Sequence, residues 1–580
     1  MPKIVTIVKN PLILFAAVMT AISLFQTLKG DNLKSVIRSD GSGYYAFLPA
    51  IFIYQDRTFT KSFQAEKDYL GENTNQYYLY KDVGNNNYDK YFPGIAVLQA
   101  PFFGLACIFS WAFHQPITGY SDLFFFFYCL GSLFYAIIGF FLFEKFIKTL
   151  FPFEKTRWLV PLLYVGSPLL FYCFNSPSYS HNYSFFLFGL FTFQVLRLNG
   201  EINDRKLFGL GLILGLIFLI RPTNFLIVLM IPFIIGDRKS FFILINNIFK
   251  KKIKNTLIFS CGFFISLSFL FFIWKWETGN WIIWSYNGEG FNFLSPQLFS
   301  SLFSFRIGLF LQIPLLFLSL FGLFILFFYN RFQAIFWSIY FIGNLWIFSS
   351  WWCWDFESPF GNRPYTEHLF FLLIPIIHLK IKYRFITSLS IFILTMIGFV
   401  RYYEVTSGYM TNQRFTKDNY FESLLFWKPQ NAGRWNFTRS CVPFGKKNTE
   451  SILLNEPKMK VIKMDDEFFY TVEAPLVKPR TNERFAYRVE LEKKITDEKL
   501  EGVYLVVDAY NKEKSKRFYK SVELFNDKFE GRKNWKKIIF EDQILDNFQE
   551  YDFVALYFWN QSKKTFFIRN CKMVIEKYKS

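Results

Sequence analysis

Long apolar blocks separated by short basic turns fill the first 400 residues, and after Arg401 the pattern changes to alternating apolar and polar positions. Apolar blocks of this kind read as membrane-spanning helices, since a full crossing takes about 20 residues. The first runs from Pro11 to Leu28 behind Lys3 and Lys9 and has no small-residue cleavage pattern after it. It is expected to remain as a first span with the N-terminus cytoplasmic.

The external stretch Gly30 to Tyr120 contains two further apolar patches, Tyr44 to Tyr54 and Pro93 to Phe113. The next block, Leu123 to Phe143, leads to a turn carrying Lys145, Lys148, Lys155 and Arg157, the signature of a cytoplasmic loop. Parity then requires that neither patch cross, and Pro93 and Pro101 favour broken, re-entrant helices for the second. Later blocks alternate in polarity: Trp158–Phe174, Tyr183–Leu196, Leu207–Ile220, Phe225–Ile235, Thr256–Trp274, Leu309–Phe328, Phe336–Phe348, Phe370–Leu379 and Phe385–Val400. The expectation is a polytopic helical membrane protein of about eleven spans, with its C-terminal region outside.

Residues 402–460 read as a polar connector. From 461 to 580, seven β-type runs (FFYTVEAPL, FAYRVELEK, GVYLVVDAY, FYKSVEL, WKKIIF, DFVALYFW and TFFIRNCKMVIEKY) are separated by charged turns, which predicts an antiparallel sandwich resembling a jelly roll.

Composition narrows the function classes. The chain has 580 residues, 52% hydrophobic, with 81 Phe and a net charge of +20. In a soluble protein that charge would suggest nucleic acid, but here many of the Lys and Arg lie in short loops between apolar blocks, so nucleic-acid binding is disfavoured. The seven cysteines show no metal-like spacing, and Cys441 and Cys571 are the pair available for a disulfide in an exported tail.

Polar residues assigned to the outer side form a set that no single member would suggest: Asp40 in RSDGSGYY; Lys90 and Tyr91 in DKYFPG; His181 and Asn182 in SPSYSHNYS; Arg221 and Asn224 in RPTN; Glu289 in YNGEGF; Arg306 in FSFRIG; and Asp355, Glu357 and Arg363 in WDFESPFGNRP. Charges near a membrane are costly unless they face a cavity or one another. Three arginines and a lysine suit an anionic ligand such as phosphate or pyrophosphate, because guanidinium grips phosphate oxygens bidentately. Asp355 and Glu357 are placed either to bind a divalent metal with Asp40 or to pair with Arg363. Glu289 sits in a glycine-flanked loop suited to closing over a substrate. Trp276, Trp281, Trp284, Trp351, Trp352 and Trp354 read mainly as an interfacial belt, and His368 and His378 as packing or capping residues.

Taken in order, SDGSGYY, KYFPGIAVLQAPFF, SPSYSHNYSFF, RPTN and WDFESPFGNRP resemble the bacterial GT-C glycosyltransferases, of the dolichyl-phosphate-mannose-protein mannosyltransferase and aminoarabinose-transferase-like kind. The likeness covers roughly residues 1–401. It implies a transmembrane catalytic domain in the bacterial inner membrane, a polyprenyl-phosphate sugar donor, transfer on the periplasmic face to a glycan, lipid or protein acceptor, and a catalytic acid at Asp40. Where many members carry a second-loop acid this chain has His181 and Asn182, which leaves a divalent-metal cofactor open. The chemistry is compatible: Lys90, Arg221, Arg306 and Arg363 would stabilise the leaving phosphate, and Asp40 would deprotonate the acceptor hydroxyl, giving displacement with inversion. The competing classes are a transporter or flippase of a lipid-linked or anionic solute, which would place charges nearer the midplane, and a membrane anchor displaying the C-terminal domain.

Overall fold

The computed structural model describes the chain except for residues 1–12, 14, 19, 23–29, 72–77, 82–86, 153–158, 201, 251–252, 287–288, 357, 407–419, 422–434, 440–445, 464, 476–482, 495–501, 514–516, 524–534, 545–551, 562, 564 and 580. Two compact units emerge. The first comprises Met1–Pro296, Ile313–Trp352 and Pro364–Gly398; the second comprises Gln297–Gln312, Cys353–Arg363 and Phe399–Ser580.

The first unit is helical. In chain order its main elements are α1 (Asp40–Pro49), α2 (Thr60–Leu70), the hairpin strands β1 (Leu79–Lys81) and β2 (Asn87–Asp89), α3 (Gly94–Ala112), α4 (Asp122–Leu150), α5 (His181–Gly200), α6 (Asp204–Ile220), α7 (Ile253–Thr278), α8 (Leu315–Tyr329) and α9 (Arg331–Ser350). A last long helix, α10 (Arg384–Thr406), runs from the first unit into the second. Among the described residues five helices are long and apolar enough to cross a membrane: α3, α4, α7, α9 and α10. The segment Pro222–Ile235 and α8 are apolar but shorter. The chain is thus a multi-pass membrane protein by its helices, and the expectation of about eleven spans is not met. Several expected spans are too short or interrupted, and proline is the recurrent reason. The segment 159–174 falls into two short helices around Pro168, residues 222–235 begin as a 3-10 turn behind Pro222, and residues 369–382 break at Pro375. The first expected span, Pro11 to Leu28, lies largely outside the described residues.

Pro93 to Phe113 also departs from expectation, because it forms one continuous helix, α3, with Pro101 inside it. A proline within an apolar helix is tolerated when neighbouring groups satisfy the backbone it disturbs. Here the Tyr135 hydroxyl donates to the Leu98 carbonyl at 2.6 Å, and Gln99 Nε2 donates to the Tyr128 carbonyl at 3.0 Å, fastening α3 to α4.

In the second unit all seven expected C-terminal strands are present, β6 (Phe468–Pro475), β7 (Glu483–Lys494), β8 (Val503–Tyr510), β9 (Arg517–Glu523), β10 (Trp535–Ile544), β11 (Phe553–Asn560) and β12 (Phe566–Lys579). Three more precede them, β3 (Trp435–Arg439) and β4 (Lys446–Glu456) within the stretch expected to be a connector and β5 (Lys460–Ile462) at its end. One sheet has the order β3-β10-β7-β12-β4 with β5 also paired to β12, and the other has β6-β11-β8-β9. All pairs are antiparallel except β10 with β3, which is parallel. Alternate residues of both sheets, including Tyr487, Val489, Leu491, Leu505, Val507, Leu556, Phe558 and Met573, share one buried cluster. Period-two burial on one face of each sheet is what an antiparallel sandwich requires. Cys571, expected to pair with Cys441, is a free buried thiol in this core, and Cys441 lies outside the described residues. Cys353 is the disulfide-bonded cysteine of the described chain.

A candidate anion-binding site around Asp40

Asp40 is the first residue of α1, and its carboxylate is partly exposed. Ser39 before it adopts a positive φ of 55°, which turns the chain sharply into the helix. The two glycines that follow allow close approach on both sides. A Cβ on Gly41 would lie 2.2 Å from Ser178 Oγ, and one on Gly43 would lie 2.4 Å from Tyr91 Cδ2. The backbone of α1 is therefore wedged between the Pro177–Tyr179 turn and the segment after β2, and Tyr91 can donate its hydroxyl to Asp40 Oδ1 at 2.8 Å. The Tyr44 ring packs on the Tyr91 ring at 4.7 Å. Tyr44, Tyr45 and Leu48 are buried, because α1 packs within the helical unit.

Tyr91 is held from behind by Asp89, whose Oδ1 accepts from the Tyr91 backbone N–H at 2.8 Å. Asp89 is buried, and burial pushes its carboxyl well above the usual range. Lys90, between them, points its ammonium at Glu289 at 2.9 Å. Glu289 also accepts from Tyr80 Oη at 2.6 Å and Trp352 Nε1 at 3.2 Å. The Lys90 ammonium lies over the rings of Tyr80 and Tyr91, each 5.3 Å away, and 6.0 Å from the Tyr286 ring. Tyr286 is the common neighbour of the site. Burial raises its phenol well above the ordinary value, Tyr44 and Asp40 add to the effect, and Arg221 opposes it. Asp40, Arg221 and Glu289 thus all act electrostatically on one half-buried phenol, with the Lys90 ammonium 6.0 Å from its ring.

Arg221, itself half-buried, reaches this point from a second, buried network centred on Glu367. One Glu367 oxygen pairs with His181 Nδ1 at 2.6 Å; the other accepts from Asn224 Nδ2 at 3.1 Å and lies 3.5 Å from Arg221 Nη1. Asn224 is fixed further by Ser184 at 2.9 Å and by His368 Nε2 at 3.2 Å, and the other His368 nitrogen meets the Tyr340 hydroxyl at 2.5 Å. Burial alone would raise the Glu367 carboxyl, but His181 and Arg221 outweigh it and hold it down at about 2. Glu367 is therefore a permanent buried anion that orients Arg221, His181 and Asn224 together.

Of the twelve expected site residues, seven (Asp40, Lys90, Tyr91, His181, Arg221, Asn224 and Glu289) belong to these linked networks of the first unit, while Asn182, also in that unit, donates to Ser132 Oγ at 2.8 Å. Arg306, Asp355 and Arg363 belong to the second unit. There Asp355 pairs with Arg306 at 2.8 Å, both side chains buried. Arg363 opens a short 3-10 turn and its backbone N–H donates to Ser358. Glu357 lies outside the described residues, and among the described residues no three His, Cys, Asp or Glu side chains group as a metal site. Sequence reasoning missed Glu367, Tyr80 and Tyr286. The signal for Glu367 was present in TEHLFF, an acid next to a long apolar run, where an ionisable group is a functional candidate by default. Two of the expected belt residues are built into the site instead: Trp352 holds Glu289, and Trp351 packs edge-on against Tyr286 at 6.0 Å.

No family model matches this chain, and no curated protein and no solved structure was found to be similar to it.

Proposed function

We propose that this protein is a membrane glycosyltransferase that moves a sugar from a polyprenyl-phosphate donor to a hydroxyl acceptor, with inversion and with Asp40 as general base. The observation that carries this reading is a partly exposed carboxylate, held by a phenol, beside two cations that share its neighbour Tyr286. A sugar phosphate needs little acid assistance to leave once the developing charge on phosphate is met, and Lys90 and Arg221 are the groups for that work. Each already has a carboxylate partner, Glu289 and Glu367, so each is held in place before an anion arrives. What remains is removal of the acceptor proton, the task of a general base within hydrogen-bond reach. The likeness of the motif order to GT-C glycosyltransferases supports the same assignment, and with it a site on the periplasmic face of a bacterial inner membrane, with the β-sheet region on that side contacting the acceptor.

The test is turnover of a labelled polyprenyl-phosphate sugar by the purified protein in proteoliposomes. Acceptor-dependent release of polyprenyl phosphate, lost in Asp40→Asn, is the expected result. Movement of the intact donor across the bilayer without release would replace the enzyme with the transporter reading.

A further inference from the structure

We propose that the segment after α7, residues 279–286 and 289–294, is a membrane-dipping loop: its apolar side chains insert into the lipid at the bilayer level where α7 ends, while its polar side chains hold the site. The inference stands on the loop's own contacts and does not depend on the reaction carried out at Asp40.

The loop has two chemically opposite faces. Toward the site, Ser285 Oγ donates to the Lys90 carbonyl at 2.9 Å, Glu289 binds Lys90, Tyr80 and Trp352, and the Asn292 N–H donates to the Ser350 carbonyl at 2.6 Å. Away from it, Trp281, Ile282, Trp284, Phe293 and Leu294 are exposed, Ile282 by 75% and Leu294 by 99%. Glu289 is the only charged residue of the two described stretches, and its carboxylate is turned to the site. A contiguous apolar patch of this size needs an occupant.

Lipid is the occupant that the neighbouring helices select. On α7, Leu257, Phe264, Phe269 and Phe272 are exposed at helical spacing and form the stripe a spanning helix turns to the bilayer. Trp281 continues that stripe, with its ring 5.8 Å from Phe272 and Lys275 beside it at 5.7 Å. The other end of the loop meets a second stripe, Ile335, Ile339, Ile342 and Trp346 on α9, through Phe293, whose ring lies 5.1 Å from Trp346. The exposed apolar side chains therefore connect two lipid-facing surfaces, with Asn280 and Asn292 as the exposed polar residues among the described positions of the loop. Tryptophan at the end of a spanning helix, with a lysine snorkelling over it, is the composition of a membrane–water boundary.

Full-length protein in phosphatidylethanolamine/phosphatidylglycerol nanodiscs would be footprinted twice, with a phospholipid carrying a diazirine on its acyl chain and with hydroxyl radicals generated in water. Carbene label on Trp281, Ile282, Trp284 and Leu294 at the level found on the Phe264–Phe272 stripe, together with several-fold slower radical oxidation of Trp281 and Trp284 than of exposed Phe468, is the expected result. Ile282→Asp with Leu294→Asp should lose the lipid label at the loop and keep it on α7. Radical oxidation of the loop matching Phe468, with no carbene label, would overturn the proposal. Protection from both probes would overturn it too, because a polypeptide, whether a second copy or another protein, would then cover the face.

Discussion

Glu367 is the buried charge that holds Arg221, His181 and Asn224 together. It is fully buried, and His181, Arg221 and Asn224 converge on its two oxygens. Removing one member of such a network leaves the others uncompensated, at a cost of about 3–5 kcal/mol. Glu367→Gln is accordingly expected to lower thermal stability and to release Arg221, whereas Asp40→Asn removes a partly exposed group and should leave the fold intact. On the proposed mechanism Asp40→Asn slows turnover by about a hundredfold to ten-thousandfold, measured as initial rate in proteoliposomes at wild-type melting temperature. A normal rate in that variant would end the assignment of Asp40 as base. Tyr91→Phe removes one hydrogen bond to the Asp40 carboxylate, worth about 1.5–3 kcal/mol for a charged acceptor, so its effect should be about tenfold to a hundredfold and should alter the pH profile rather than abolish activity.

At the scale of the element, α1 is constrained by the close approach at its glycines. Alanine is a better helix former than glycine by about 1 kcal/mol, so Gly43→Ala would stabilise α1 if propensity decided. The added methyl, however, would sit 2.4 Å from the Tyr91 ring and 2.9 Å from Tyr78 Cβ. The expected outcome is unchanged helical content by circular dichroism with activity reduced at least as far as in Tyr91→Phe, because the methyl displaces the phenol that holds Asp40. The β region has a different currency. Phe558 is fully buried in the cluster shared by the two sheets, and Phe558→Ala should cost about 3–5 kcal/mol, seen as an earlier loss of β signal on heating.

The whole molecule should also show a pH dependence set by carboxyls it buries outside its spanning helices. Glu66 on α2 is buried, with its carboxylate accepting from Tyr78 at 3.1 Å, and burial lifts its pKa from 4.5 to about 7, against a smaller lowering by Tyr78. Below pH 4.5 the group is protonated in folded and unfolded chains alike, so it costs nothing; as pH rises toward 7 the unfolded chain ionises first and stability is lost. The loss is about 3 kcal/mol across that window. Melting temperature in detergent is therefore expected to fall between pH 4.5 and 7, and Glu66→Gln should flatten that part of the curve while leaving the acid limb unchanged.

Composition and periodicity by themselves determined that the chain is a multi-pass membrane protein with a strand-rich C-terminal region, because apolar length and period-two alternation are local properties. They also collected Asp40, Lys90, Tyr91, His181, Arg221, Asn224 and Glu289, since polar groups beside apolar blocks stand out against them. They did not decide how many blocks cross, because a proline such as Pro168 or Pro375 ends a helix while Pro101 is carried inside α3, a difference that depends on how each segment packs against other elements. Nor did they decide which charges meet. Glu367 joins His181 across 186 positions of sequence, and Glu289 joins Lys90 across 199. Such pairings depend on how helices pack, so only the tertiary structure could assign Arg221 and Lys90 to the neighbourhood of Asp40 and Arg306 to Asp355.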